Sequence, residues 1–431
     1  MFCTDFCAQH KLHKEHFTRN RVFTFGRLIA FQMNIATKSL SVELTRFFHR
    51  ITGNIEEQSF SKQSYSEARM KFKHTAFIEL NEDFVTGYYA DGDYKLYKGY
   101  RLIAIDGSRL LLPNTESMTN EFGIAENNNK SVPMAMTSVA YDVLNHIAIN
   151  AYMDKYATSE RLLADRHLEK IRELMPTSRD ILLLDRGYPS VPLCAKMLVL
   201  GYNFVIRCNE TGFLNEVKAF AQNGENDQLI EIDMMKGTLA RRKRMEGIVQ
   251  GHSMNKVQLR IVKIVLNNGT VEYLMTSLID KEAVSLDELK ALYHLRWNEE
   301  TYFNFQKNVL EIENWSGKTP EAVRQDYYAR VFSANLNSLL IEEAQEQVDA
   351  ETENNEERKY ERYIINRTVA TGILKDEMIE MLFTPKDQWE KKMDMLIESI
   401  KKHIVPHVPD RSFPRNHKVP NKAFLKRRKA I

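Results

Sequence analysis

The chain has little that would place it in a membrane, outside the cell or on a thiolate scaffold. Its 431 residues include four cysteines, at 3, 7, 194 and 208. They are scattered rather than paired, which excludes a disulfide framework and fits a reducing cytosol. No apolar stretch reaches the roughly 18 residues that a membrane span needs. The N-terminus, MFCTDFCAQHKLHKEHF, is polar throughout and lacks the apolar core of a secretory signal. These absences predict a cytoplasmic protein without a membrane partner. Net charge is nearly absent too, with 60 Lys and Arg against 58 Asp and Glu. The overall balance therefore says little about partners, but its distribution says more. From Arg411 to the end there are eight Lys or Arg and no acid. Cys3, Cys7, His10, His13 and His16 lie near one another, but their spacing fits no common zinc pairing and no second cluster follows. A solvated helix start is the better reading.

What is present suits a soluble globular protein. Apolar residues make up 43% of the chain, and its length allows two or three domains with a large core. Residues 1–95 read as helical. Ser41 precedes Val42, Leu44, Phe47 and Phe48 at helical spacing, and a second helix after Ser64 carries Ala68, Phe72, Ala76 and Leu80. Basic residues are frequent here, so a plain helical bundle and a DNA-binding bundle both remain open.

From 96 to 207 the texture changes. Leu102–Asp106, Met134–Tyr141, Ile147–Met153, Asp180–Asp185 and Tyr202–Arg207 read as strands. Helices fill Ser159–Leu174 and Val191–Leu200. The order β-β-β-α-β-α-β predicts a mixed α/β sheet of the ribonuclease-H-like type. Residues 208–280 read as a β-rich insertion, with a hairpin around Asn267-Asn268-Gly269. The core resumes over 281–330 with one long helix, Leu286 to about Leu310, capped by Ser285. A helical region, 331–405, is interrupted by a loop at the acidic run Asp349–Glu357. The basic tail 406–431, with four prolines, reads as extended.

Three carboxylates carry the chemistry. Asp106 and Asp185 each close an apolar strand, where a carboxylate is costly unless something uses it. Either alone reads as a turn opener (Asp106-Gly107, Asp185-Arg186-Gly187). With Glu300 on a later helix they suggest a shared site for Mg²⁺ or Mn²⁺, whose preferred ligands are carboxylate oxygens. On a continuous helix at 100° per residue, Tyr293, Arg296, Glu300 and Lys307 fall within a wedge of about 60° beside the apolar face. Arg296 and Lys307 are then phosphate clamps and Tyr293 a hydroxyl donor to phosphate. Trp297 is either a rim packing residue or a base-stacking surface. The run Arg241, Arg242, Lys243, Arg244 is either a solvated face or loop, or a phosphate contact.

With those residues in place the chain resembles bacterial insertion-sequence transposases of the DDE class, in the branch with the Tyr-x2-Arg-x3-Glu-x6-Lys signature. The signature is complete in Tyr293, Arg296, Glu300 and Lys307. Asp106-Gly-Ser108 and Asp185-Arg-Gly-Tyr188 match as well. The resemblance implies a ribonuclease-H-like core in which Asp106, Asp185 and Glu300 hold two Mg²⁺ or Mn²⁺ ions. It implies cut-and-paste transposition on double-stranded DNA, both terminal inverted repeats and target, by a homodimer in a synaptic complex. It also implies an N-terminal region that binds the repeats, an insertion that helps form a DNA hairpin, and a bacterial, nucleoid-associated location. Three rivals remain. One is a metal-dependent nuclease of the same fold, and another is a domesticated DNA-binding protein without catalysis. The third, a two-carboxylate glycosidase, leaves Arg296, Lys307 and the basic tail unexplained.

Overall fold

The computed structural model describes residues 3–19, 21–34, 38–52, 60–127, 130–210, 214–252, 255–266, 269–353 and 359–407. Most of the basic tail, Asn267 and Asn268 of the expected hairpin turn, and the end of the acidic run lie outside these residues. The chain divides into two compact units: residues 1–81, 110–135 and 304–431, and residues 82–109 and 136–303. No helix among the described residues is long and apolar enough to cross a membrane.

The first unit is mainly helical. It contains α1 (Thr4–His10), α2 (Phe25–Met33), α3 (Leu40–Thr52) and α4 (Lys62–Arg69), and α5 (Thr75–Ala90) begins in it. The expected single helix after Ser64 is thus two. Between them the backbone turns to another partner: Lys71 O accepts from Leu12 N at 2.9 Å, and Lys73 N donates to His10 O at 2.8 Å. His10 is buried, its ring nitrogens 2.9 Å from Thr75 Oγ1 and 2.9 Å from Glu79 Oε2. Phe25, Phe31, Phe47, Phe48, Tyr65 and Phe72 form an aromatic core, several of them meeting edge to face. Such pairs favour the positive ring edge against the negative face.

The later part of this unit starts from a long helix, Pro320–Glu353 (α13 once the intervening elements are numbered), buried on most of its circumference along its first half. A helix buried on nearly every side belongs inside a bundle. Arg69 is buried against it, with its guanidinium 2.9 Å from Asp326 and 3.0 Å from Gln325. The helix also runs through Asp349–Glu353, where a loop is expected. Asp349 is held there by Arg362 and Gln345, so its charge does not end the helix.

The second unit carries the sheet. Its strands are β1 (Arg101–Leu111), β3 (Lys130–Asp142), β4 (Ile147–Lys155), β5 (Asp180–Leu184), β6 (Asn203–Cys208), β7 (Asp227–Asp233), β8 (Lys256–Val265) and β9 (Val271–Thr276). The first and second of these run on into residues of the helical unit. There, α6 (Glu116–Phe122) precedes β2 (Ile124–Asn127), which pairs antiparallel with the start of β3. The order is β4-β3-β1-β5-β6-β9-β8-β7. Its first five strands are those of a ribonuclease-H-like sheet, as expected. β1, β5 and β6 run parallel, with Leu102 opposite Ile181 and Leu182 opposite Phe204. Their near-continuous apolar runs are what a parallel sheet covered on both faces requires.

The covering helices are α7 (Glu160–Leu174) and α8 (Val191–Val199), capped by Ser159 and Ser190. Leu163, Ala164, Leu168 and Ile171 of α7 face the core. After β6 come α9 (Asn215–Gln222) and α10 (Leu239–Ile248), while β9, β8 and β7 extend the same sheet antiparallel. The sheet unit ends with α11 (Leu286–His294) and α12 (Trp297–Asn308), the latter crossing into the helical unit. The chain then forms α13, β10 (Tyr363–Ile365), α14 (Arg367–Phe383), α15 (Trp389–Lys401) and β11 (Ile404–Pro406), with β10 and β11 antiparallel.

Candidate active site

Two neighbouring strands set the site. The last paired residues of β1 and β5 are Ala104 and Leu183, and Asp106 and Asp185 lie just beyond them. Asp185 follows the end of β5, as its turn-like sequence predicts. Asp106 does not close its strand: β1 continues to Leu111 because β3 is long enough to keep pairing with it. Ser138 Oγ of β3 donates to Asp106 O at 3.0 Å, and Thr137 Oγ1 to Ser108 O at 2.8 Å. Asp106 therefore sits where β1 has outrun its parallel partner. Gly107 N donates to Asp106 Oδ1 at 2.8 Å, and Gly187 N to Asp185 Oδ1 at 2.5 Å.

The expected long helix is broken at Leu295–Arg296. No Pro or Gly causes this. The backbone bonds shorten their step: Arg296 N reaches Tyr293 O at 3.1 Å, Asn298 N reaches Leu295 O at 3.0 Å, and Glu299 N reaches Arg296 O at 3.0 Å. Such a tightened turn changes the rotation per residue, so the four-residue wedge of a continuous helix does not hold across it. Arg296 is 5% exposed. Its Nη2 donates to Glu300 Oε1 at 2.8 Å, and its Nη1 lies 3.8 Å from Asp106 Oδ2. Burial works against its charge, but Tyr293, Glu300 and Asp106 outweigh that and hold it firmly protonated.

The other side of the site is acidic. Burial pushes the Asp106 carboxyl up to about 7; Gly107 and Arg296 oppose the rise, and the charges of Asp185 and Glu160 add to it. Glu299 is fully buried and has no side-chain hydrogen-bond partner among the described residues; the backbone of Asp106 is the polar group that acts on it. Its carboxyl is held far above the usual range by burial and then by Asp106. The Tyr188 hydroxyl is likewise buried and without a partner.

The structure thus gathers Asp106, Asp185, Glu300 and Arg296 at one end of the sheet. Tyr293 precedes the break, 4% exposed, with its hydroxyl unpartnered among the described residues. Trp297 opens α12 and is 43% exposed. Lys307 stands half-buried in the last turn of α12, within the helical unit. Arg241, Arg242, Lys243 and Arg244 lie on α10, not in a loop, and the last three are exposed. Among the described residues no three His, Cys, Asp or Glu side chains converge as a metal cage. The positive group between Asp106 and Glu300 is instead the Arg296 guanidinium.

A family model described as the transposase DDE domain matches residues 97–336, more than half of the chain. The chain belongs to the DDE transposase family. Asp106, Asp185 and Glu300 all fall within the matched span of this DDE transposase. No curated protein matches it. Among solved structures the chain is similar to the piggyBac transposase, determined by cryo-EM in a synaptic complex with hairpin DNA. The likeness has 12% identity and a TM-score of 0.43, covering 91% of this chain and 78% of that one.

Sequence reasoning did not single out Glu160 or Glu299. Glu299 stands beside Glu300 in Asn298-Glu299-Glu300, and only the tightened turn turns it inward. Glu160 looked like an ordinary first-turn acid after the Ser159 cap, and nothing in its spacing ties it to Asp106.

Proposed function

We propose that this DDE transposase serves a bacterial insertion sequence of the Tyr-Arg-Glu-Lys branch. It binds the terminal inverted repeats of its element, cuts the DNA there and joins the freed ends to target DNA. One observation supports this most: Asp106 and Asp185 flank the ends of adjacent parallel strands, with Glu300 and Arg296 at the same end.

The oxygen donors of Asp106, Asp185 and Glu300 fit a hard divalent cation, whose preferred ligands are carboxylate oxygens. Asp106, Asp185 and Glu300 would hold two Mg²⁺ or Mn²⁺ ions, which when bound activate an attacking water or 3′-OH and stabilise the leaving oxygen. The chain's own side chains position the DNA. Arg296, released from Glu300, is a forked donor to a phosphate, and Lys307 is a point charge. The Tyr293 hydroxyl donates to the same phosphate. The exposed Trp297 ring offers a stacking face for an unpaired base. The basic stretch of α10 and the helical N-terminal region contact the phosphate backbone of the repeat. Two copies synapse the two element ends, and the cut end passes through a hairpin. The protein acts in the cytoplasm, on the nucleoid.

The test is to incubate the purified protein and Mg²⁺ with labelled DNA carrying the inverted repeats that flank the gene. Cleavage at the repeat boundary, lost in Asp185→Asn, supports the reading, and a hairpin product supports the proposed route. Binding without cleavage favours a domesticated DNA-binding protein. Cutting without preference for the ends favours a plain nuclease.

A further inference from the structure

Three polar groups at the acidic end of the sheet have no part in the mechanism above: Glu160, Glu299 and Tyr188. Glu160 is the first residue of α7, and its carboxylate reaches both aspartate turns. A Cβ placed on Gly107 would stand 2.9 Å from Glu160 Cγ and 2.9 Å from Glu160 Oε1. A Cβ placed on Gly187 would stand 3.6 Å from Glu160 Oε2 and 3.0 Å from Asp185 Oδ1. Gly107 lacks the atom that would keep this carboxylate out, and at Gly187 the carboxylate stands at ordinary contact distance. One of its oxygens therefore lies against the Asp106 turn and the other against the Asp185 turn.

A second observation points to an absent ligand. The Tyr188 hydroxyl is 0% exposed and has no hydrogen-bond partner among the described residues. After burial itself, the groups acting on it are Asp106, Glu160, Glu299 and Asp185, in that order. Glu299, also 0% exposed, has no side-chain partner among the described residues, and the one backbone group acting on it is that of Asp106. Buried polar atoms are normally satisfied, and an unpartnered hydroxyl among these carboxyls asks for an ion or water. Arg296 lies against Asp106 and Glu300; the cation whose charge reaches Glu160 is Arg109.

We infer that Glu160 is a fourth carboxylate of the divalent-cation site, lying between the Asp106 and Asp185 turns and binding the cation with them. The inference rests on the reading of this end of the sheet as a metal site. The three family carboxylates come from two strands and α12; Glu160 adds a ligand from α7.

The experiment measures Mn²⁺ binding to the full-length protein without DNA, by loss of the free-ion paramagnetic resonance signal, together with thermal melts in EDTA and in Mn²⁺. The wild type should bind Mn²⁺ and melt higher with it. Asp185→Asn should lose binding, Glu160→Gln should weaken it at least tenfold, and Glu160→Asp should recover part of the loss. In EDTA, Glu160→Gln should melt at or above the wild-type temperature, because one of several repelling charges is gone. Wild-type Mn²⁺ affinity in Glu160→Gln, with binding lost in Asp185→Asn, overturns the inference and leaves the three-carboxylate site standing. A lower melting temperature in EDTA makes Glu160 a structural residue and also overturns it. A wild type blind to Mn²⁺ overturns the metal site and this inference together.

Discussion

The two ends of the β1–β5 pair carry charge in opposite ways. At the start of the strands Arg101 and Asp180 are both buried and meet at 2.7 Å. Ser178 donates to the second oxygen of Asp180 at 2.7 Å, and the Tyr89 ring covers the guanidinium at 4.5 Å. At the far end five carboxyls, Asp106, Asp185, Glu160, Glu299 and Glu300, come together, and the buried Arg296 pairs only with Asp106 and Glu300. The first end pairs one buried charge with one of opposite sign, although Arg101 Nη2 is left without a partner among the described residues. Such pairing is the condition under which a buried charge is tolerated in a fold. The second end is not so paired, and carboxylates crowded without compensation raise one another's pKa and leave room for a ligand. The contrast separates charge that is paired within the fold from charge that is not.

The largest effect that would sharpen the comparison is on chemistry. Asp106→Asn, Asp185→Asn and Glu300→Gln should each slow end cleavage by about a thousandfold or more, since the metal supplies several kcal/mol of transition-state stabilisation. Binding of end DNA in a gel-shift assay should survive. A variant that cleaves at the wild-type rate would remove that residue from the metal site.

At the other end the effect should be on stability alone. Asp180→Ala leaves Arg101 buried and uncompensated, so unfolding in urea should cost about 3–5 kcal/mol less. Asp106→Asn, in metal-free buffer, should lose none of that stability. Equal losses at both ends would break the comparison.

Acid should act from between the two ends. The buried His167 ring lies 2.9 Å from Asn150 and 3.0 Å from Ser138, the residue that donates to Asp106 O. Burial, with help from Arg166, lowers its pKa to about 3. The unfolded chain therefore takes up a proton near pH 6.5 that the fold refuses. This contribution to stability is present above pH 6.5 and is lost as pH falls toward 3. Between pH 7 and 5 the loss is about 2 kcal/mol. His167→Gln should flatten that part of the pH–stability curve, and an unchanged slope would assign the acid sensitivity elsewhere.

The smallest expected effect is at Lys307. Lys307→Ala should weaken the complex with end DNA and lower its salt slope by about one. An unchanged slope would take Lys307 off the list of phosphate contacts.

Much of this architecture is legible in the residues. The apolar runs 102–105 and 181–184 mark parallel strands because both their faces are covered, and Ser159 and Ser190 mark helix starts because their hydroxyls accept early backbone N–H groups. Element ends are less legible, because their limits depend on partners distant in sequence. β1 runs past Asp106 because β3 accompanies it. The helix after Ser64 stops because the backbone at 71–73 finds residues 10–12. The acidic run stays helical as far as Glu353 because Arg362 answers Asp349.

The candidate site divides along the same line. The sequence by itself determined the residue types and the order and spacing of Asp106, Asp185, Tyr293, Arg296, Glu300 and Lys307 along the chain, since these are local. Only the tertiary structure decided that the helix tightens at Leu295–Arg296, that Arg296 turns to Asp106 and Glu300, and that Glu160 and Glu299 join the acids. Whether a carboxylate is buried, paired or crowded depends on what other segments bring to it, and that proximity is written in no single stretch of chain.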